Sequence, residues 1–374
     1  MLVIKNYLSD LHAPGHVRGE VVAREINRNC PNMLVDCKMD YVLSDFYKAN
    51  MMIFQRASQA DWLVKAREAK RRGIKIVYEI DDDLLNMPEN FVEPWRFYLR
   101  PEIRRNIQAF LELSDAIISS TEPLMRSLRK RVPRANHFVL PNAIDAEYWG
   151  RAFAERQSEH RNKDAVTVGW LASGSHKLDA PIVAEVLVEL MKKHKHLRLN
   201  FIGWIEHGDL PGILPYAERV KCDQWQSISI LPWVMKNFDI SIAPLIDNKF
   251  NRAKSDIKWL QAGALGIPTV ASKLDPYNGI HHGDDGFVAK TQKEWFDLLD
   301  LLITSKGLRD QIGQAANKVV LDKRDIRSQF TTWAQAYEMI IGGNSHGITE
   351  AKNKHSRRSP APLRKTVGRR KRAA

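Results

Sequence analysis

Short apolar runs alternate with helix-length amphipathic stretches, and this alternation constrains the fold more than any other feature of the chain. Residues 51–54 (MMIF) read as a buried strand, 58–72 as a helix ended by Gly73, and 75–80 as the next strand. An apolar run at 2–4 reads as the first strand, with a helix over 17–29. Repeats of strand, helix and strand at this length imply parallel crossovers, hence a Rossmann-like half. The alternation resumes with a strand over 166–171, a small-residue loop over 172–177, a helix over 179–194 and a strand over 198–203. Between the halves, Pro141-Asn142-Ala143-Ile144-Asp145 and the polar segment 151–164 mark a boundary. The expected fold class is α/β, with two Rossmann-like domains.

The 374 residues suffice for two full cores, and 44% hydrophobic with 27% charged residues is the balance of a soluble globular protein. No run approaches the length a bilayer requires, and Lys5 and Asp10 interrupt the N-terminal apolar stretch before a signal-peptide core can form. No transmembrane segment is therefore expected. Cys30, Cys37 and Cys222 fit neither a metal spacing nor a disulfide framework, which suits a reducing, cytoplasmic location. No ATP P-loop competes for the phosphate-binding role.

The net charge of +13 is unevenly placed: residues 352–374 carry ten Lys and Arg and no acid, leaving about +3 on the rest. From 344 onward the hydrophobic pattern is lost, so 344–374 is expected to be a disordered basic tail. Such a tail suits the polyphosphate of DNA or RNA, or an anionic membrane surface; a solvated tail with no partner is the simpler alternative.

Candidate chemistry gathers in three places. In the run 247–272, Arg252, Lys254, Ser255 and Lys258 crowd the expected first turn of a helix whose apolar face is Ile257, Leu260 and Ala264. Gly266 ends that helix and Pro268 opens a strand over 269–271. A helix N-terminus with added cations is a seat for a phosphate or diphosphate, the alternative being a solvated basic face on a core helix. In the loop 172–177, Ser173, Gly174 and Ser175 allow close backbone approach to a phosphate, and Lys177 adds charge. The strand 75–80 runs directly into Asp81-Asp82-Asp83 at its carboxyl end, where open parallel sheets bind ligands. These acids can serve as general base, metal ligands or helix caps; Asp83, followed by Leu84-Leu85, reads as a cap.

The run KSDIKWLQAGALGIPTVAS resembles the nucleotide-sugar motif of GT-B glycosyltransferases of the group 1, family-4-like type. The preceding strand ending in Ala243-Pro244-Leu245, the crossover 141–145 and the turn Asp284-Asp285-Gly286-Phe287-Val288 match the same pattern, and the resemblance covers most of 50–340, best over 165–320. It implies two Rossmann-like domains facing a cleft and transfer of a sugar from a nucleotide diphosphate sugar to a hydroxyl acceptor, with no cofactor besides that donor and no metal. An acceptor domain over 1–145, a nucleotide-sugar domain over 146–325 and a closing helix over 326–343 returning to the first domain are implied as well. So is an acceptor-lining loop containing Gly15, His16 and Arg18, with His16, Asp81 and Asp82 as catalytic candidates. Ser173, Gly174, Ser175 and Lys177 fall in the family's diphosphate site, and Trp225 or Trp233 is placed to stack on the base, against the simpler fate of core packing.

The chain departs from that pattern at two carboxylates, replaced by Ala253 and Gln261, and at an arginine, replaced by Trp170. Gln261 retains a neutral hydrogen bond to a hydroxyl, and Arg252, Lys254 and Lys258 are left to neutralise the diphosphate. The family's retention of configuration is left open by the missing carboxylates. A modified-DNA or surface-glycan acceptor agrees with the tail; a catalytically inactive GT-B-like scaffold or a nucleic-acid-binding protein is the alternative.

Overall fold

The computed structural model describes residues 1–10, 12–91, 95–159 and 165–343; the basic tail lies outside the described residues. Two six-stranded parallel sheets organise the chain. The first contains β1 (Leu2–Tyr7), β2 (Met33–Lys38), β3 (Met51–Gln55), β4 (Lys75–Ile80), β5 (Ala116–Ser119) and β6 (Asn136–Val139), in the order β2-β1-β3-β4-β5-β6. The second contains β7 (Val166–Ala172), β8 (Leu197–Gly203), β9 (Val220–Asp223), β10 (Ile240–Ala243), β11 (Thr269–Ser272) and β12 (Phe287–Ala289), in the order β12-β11-β10-β7-β8-β9. In each sheet the strand order reverses once, between β1 and β3 and between β7 and β10, and such switch points open a crevice at the carboxyl ends. Every residue of β3 is buried, as a strand covered on both faces requires.

Helices cover both faces. In the first half these are α1 (Val21–Asn29), α2 (Ala60–Arg71), α3 (Pro101–Leu113) and α4 (Glu122–Arg131), the last capped by Thr121 accepting from the Leu124 amide at 3.3 Å. The polar segment after Asp145 is not an open boundary, because residues 146–158 form α5 (Ala146–Ser158). Asp145 caps it and Trp149 and Ala152 bury its inner side, while its charged outer face makes the sequence look like a linker. The second half adds α6 (Ala184–Lys193), α7 (Ile257–Ala264), α8 (Gln292–Thr304) and α9 (Lys306–Arg324). Finally α10 (Ile326–Gly342) returns to the first sheet, where Ile326, Trp333, Tyr337 and Ile340 share one apolar cluster with Ile4, Val22, Ile53 and Val77.

The chain crosses between the halves twice, and the crossings are tied together. The Ile144 amide donates to the Arg324 carbonyl at 2.7 Å, and the Ile326 amide to the Ile144 carbonyl at 2.9 Å. Arg324 also donates to the Asn142 carbonyl at 2.7 and 2.9 Å and to the Asp256 carboxylate at 2.7 and 3.0 Å. Asp256 is thereby fixed just before Ile257, and α7 begins there rather than at residue 252. Arg252 instead ends a separate short helix, Lys249–Arg252, and Lys254 and Ser255 occupy the loop between the two.

Behind α7, the helix α9 packs so closely that a Cβ on Gly313 would lie 2.0 Å from the Gly266 carbonyl oxygen, and Gly266 itself adopts φ +64°. Gly313→Ala must displace backbone and is expected to destabilise the protein by about 2 kcal/mol or more, read as a lower urea midpoint. Gly150→Ala in α5, where a Cβ meets nothing within 4 Å, is expected to raise the midpoint by up to about 1 kcal/mol of stability.

Candidate active site

The carboxyl ends of the two sheets face one another across a cavity of about 700 Å³. One wall carries His12, Arg56, Asp81, Asp82, Trp95 and Tyr98 from the first half; the other carries Ser173, Gly174, His176, Trp204, Trp225, Lys254, Ser255, Lys258 and Gln261 from the second. The strand-end rule accounts for both walls: Arg56 directly follows β3, Asp81 and Asp82 follow β4, and Ser173 to His176 follow β7.

Arg56 is the centre of the charged network. It adopts φ +48°, left-handed backbone that a side chain of its size seldom takes. Its buried guanidinium donates to Asp81 and, at 2.6 Å, to Asp82, and lies 5.7 Å from the centre of the Trp95 ring. From the opposite half, the Lys254 ammonium lies 3.4 Å from Asp82 and 3.4 Å from the Ser175 hydroxyl. The chain just before Lys254 is anchored in the first half: Phe250 and Ala253 join that half's apolar core, and the Thr121 hydroxyl donates to the Ala253 carbonyl at 2.7 Å.

These contacts set the charge states. Burial pushes the Asp81 carboxyl up to about 6, against the pull of Arg56. Burial acts on Asp82 in the same direction, but Lys254 and Arg56 outweigh it and hold that carboxyl below its usual range. Burial, with the charge of Lys254 beside it, pushes the Lys258 amine down to about 7, and Lys258 donates to the Leu171 carbonyl. Asp179, buried beneath the loop 173–179, is pushed up to about 7 by burial, while burial and the charges of Lys258 and Lys254 hold its neighbour His176 well below the usual imidazole value.

Of the residues singled out in the sequence, the cavity brings together Asp81, Asp82, Ser173, Gly174, Lys254, Ser255, Lys258, Gln261 and Trp225. Ser175 sits just behind them, 3.0 Å from the Ser173 hydroxyl. Arg18 reaches the cavity floor but is 1% exposed, because it bonds Glu79, the Leu140 carbonyl at 2.8 Å and Asn142 at 2.9 Å and lies against Trp333. These bonds brace the start of the crossover at Leu140 and Asn142. Gly15 packs on the Asp10 carbonyl, where a Cβ would lie at 1.8 Å, and His16 pairs with Glu20 at 3.0 Å; neither lines the cavity. Arg252 pairs at the surface with Asp247 at 2.6 Å and Asp275 at 3.3 Å, and Lys177 with Asp209 at 3.3 Å. Trp233 donates to Glu155 at 2.9 Å and packs on Tyr148, away from the cavity.

Arg56, Trp95, Tyr98, His176 and Trp204 were not singled out. Arg56 and His176 satisfy the strand-end rule that marked Asp81, whereas Trp95 and Tyr98 lie on a short 3-10 helix, Trp95–Leu99, with no sequence signal of its own. Among the described residues no group of three or more His, Cys, Asp or Glu is placed to hold a metal ion, and no helix is long and apolar enough to cross a membrane.

Two parallel sheets meeting at their carboxyl ends across a cavity define a class of proteins built from paired Rossmann-like domains. Solved structures place the chain within it. HepE of Anabaena, crystallised with UDP-glucose, matches with a TM-score of 0.66 at 15% identity, over 90% of this chain and 100% of its own. Sucrose-phosphate synthase of Thermosynechococcus elongatus matches with a TM-score of 0.66 at 11% identity, over 92% and 100%. A glycosyltransferase of Rickettsia africae matches with a TM-score of 0.61 at 12% identity, over 91% and 98%. The protein has the GT-B fold, and at these identities the likeness speaks to the fold alone. No family model matches the chain, and no curated protein matches its sequence.

The raised Asp81 carboxyl has a testable consequence. Its folded-state value lies above its unfolded one, so its ionisation costs stability as pH rises from about 4 through about 6. Asp81→Asn, which still accepts from Arg56, is expected to be more stable than wild type by about 1–2 kcal/mol at pH 7.5 and by little at pH 4. Urea melts at the two pH values check this; equal midpoints at both would show that Arg56 fully offsets the burial of Asp81.

Proposed function

We propose that the protein transfers a sugar from a nucleoside diphosphate sugar, with uridine as the nucleoside, to a hydroxyl acceptor held between its two halves. The observation that carries this reading is the convergence of Lys254, Lys258, Ser173 and Gly174 on one wall of the cavity, at the switch point between β7 and β10. The Lys254 ammonium, a Lys258 amine that a bound anion keeps protonated, and a small-residue loop supply what a departing diphosphate most requires, positive charge held in place. The choice of uridine is supported by the UDP-glucose complex of HepE, which has the same fold.

In this reading the diphosphate draws Lys254 from Asp82 and holds Lys258 in its charged form. Trp225, beside Trp204 on the same wall, stacks on the base, and the buried amide of Gln261 bonds a hydroxyl of the donor. Asp82, relieved of Lys254, is left beside Asp81 on the acceptor wall to accept the proton of the attacking hydroxyl. Asp81 and Arg56 position it.

Calorimetry with UDP, GDP, ADP and their glucose conjugates tests the donor assignment. UDP and UDP-glucose are expected to bind, and Lys254→Ala to weaken them about 10- to 100-fold. Failure of every nucleotide to bind would sink the reading. The replacement of two carboxylates of the family pattern by Ala253 and Gln261 favours a second reading, nucleotide binding without transfer. Release of UDP from UDP-glucose in a single-turnover assay separates the two.

The pH dependence is also fixed. Below about 7 Lys258 is already charged, whereas above it a bound anion must recruit a proton. UDP-glucose has no group titrating in this range, so its affinity is expected to fall above pH 7, approaching tenfold per pH unit. Lys258→Arg, always charged, should remove the slope; a slope that survives would assign it elsewhere.

The acceptor reading rests on the tail, whose ten uncompensated charges suit nucleic acid or an anionic membrane. Deleting 344–374 is expected to abolish salt-sensitive retention on DNA or on phosphatidylglycerol vesicles and to leave UDP binding intact. Retention that persists without the tail would remove it from acceptor recognition.

A further inference from the structure

His176 belongs to the cavity wall, yet nothing above gives it a task. Its backbone amide donates to the Ser173 carbonyl at 2.9 Å, closing the turn after β7. Its ring nitrogen Nδ1 lies 2.8 Å from Oδ2 of Asp179, which has no exposed surface. The other oxygen of Asp179 accepts the Ile246 amide at 2.8 Å and the Asn251 side-chain amide at 3.0 Å, so the carboxylate is clamped from the β10 side and cannot rotate. The ring therefore meets Asp179 along its inner edge. His176 lines the cavity, and its Nε2 has no hydrogen-bond partner among the described residues and is not one of the fully buried polar atoms.

The charge state decides what Nε2 can do. Burial, together with the charges of Lys258 and Lys254 close by, keeps the ring neutral, so it carries a single N–H. With Asp179 ionised, that hydrogen is committed to Nδ1, and Nε2 presents a lone pair. A diphosphate offers only acceptors and cannot bond to it. A hydroxyl can. In the donor reading the diphosphate draws Lys254 from Asp82 and the transferred sugar fills the space so opened, beside Ser175, which Lys254 contacts at 3.4 Å and which is the neighbour of His176. The hydroxyl nearest Nε2 then belongs to that sugar.

We propose that Nε2 of His176 recognises a hydroxyl of the transferred sugar, and that Asp179 is the positioning residue that makes Nε2 an acceptor. This role rests on the donor reading above.

The test is run at pH 8 with UDP and with whichever of UDP-glucose, UDP-galactose and UDP-N-acetylglucosamine binds most tightly. His176→Ala is expected to leave UDP affinity within about twofold and to weaken the UDP-sugar about tenfold, as loss of one buried hydrogen bond requires. In Asp179→Asn the amide oxygen still accepts from Ile246 and Asn251, while its NH₂ turns toward Nδ1 and forces the hydrogen to Nε2. Nitrogen-15 shifts of labelled histidine should therefore report an Nδ1–H ring in wild type and an Nε2–H ring in the variant, with the same selective loss of UDP-sugar affinity.

An unchanged ratio of UDP-sugar to UDP affinity in His176→Ala, or an Nε2–H ring in the wild type, overturns the inference while UDP binding upholds the donor site. No binding of UDP or any UDP-sugar to wild type overturns the donor reading and this role with it. Should Asp179→Asn fail to fold, the wild-type nitrogen-15 shifts and His176→Ala decide the question.

Discussion

The buried network Arg56–Asp81–Asp82–Lys254 is the interaction on which the rest of the site depends. Two adjacent carboxylates cannot both remain ionised in a dry crevice without a cation between them, and Arg56 occupies that position at the cost of left-handed backbone. The network has a member from each half. Asp82 is held in its charged form by Arg56 from its own half and by Lys254 from the other, so the wall that accepts a diphosphate and the wall that holds carboxylates are electrically one unit.

That coupling is reinforced by packing. Phe250 belongs to the second half by connectivity but to the first by burial, lying with Phe91 and Trp95 in an aromatic group. Lys254, four residues later, is carried to Asp82 by this anchoring. Pulling Lys254 away therefore acts on the seat of Phe250 as well as on a salt bridge, and the two walls respond to each other's ligands through shared contacts.

Much of the fold was legible because period and punctuation agree: β3 reads as a continuous apolar run and β4 as the strand that follows Gly73, Gly73 and Gly266 stop helices, and Asp81 and Asp82 follow a strand end. The failures have physical causes. The sequence puts the start of α7 near residue 252 because charge beside a helix reads as part of its first turn, whereas Arg324, 68 residues away from its partner Asp256, fixes the boundary. Arg18 reads as a residue of an acceptor-lining loop because nothing local announces Glu79 or Asn142, which surround it only after folding. Arg252 and Lys254 are two residues apart and met opposite fates, one paired at the surface and one in the cavity, since the loop between two helices turns them to different sides. Arg56 was passed over because a single arginine after a strand ordinarily faces water; its role needs Asp81 and Asp82 as well, and the pairing exists only in three dimensions.

The two crossings between halves, at 142–145 and 324–326, are bonded to one another by a single parallel bridge between Ile144 and Asp325 and are further joined by Arg324. Two separate tethers would let the halves slide, twist and tilt independently. Laced side by side, they act as one narrow strap, stiff along its length and against shear, and yielding chiefly to bending. A change in the opening between the halves must therefore pass through this strap and through the seat of Phe250 in the core of the first half.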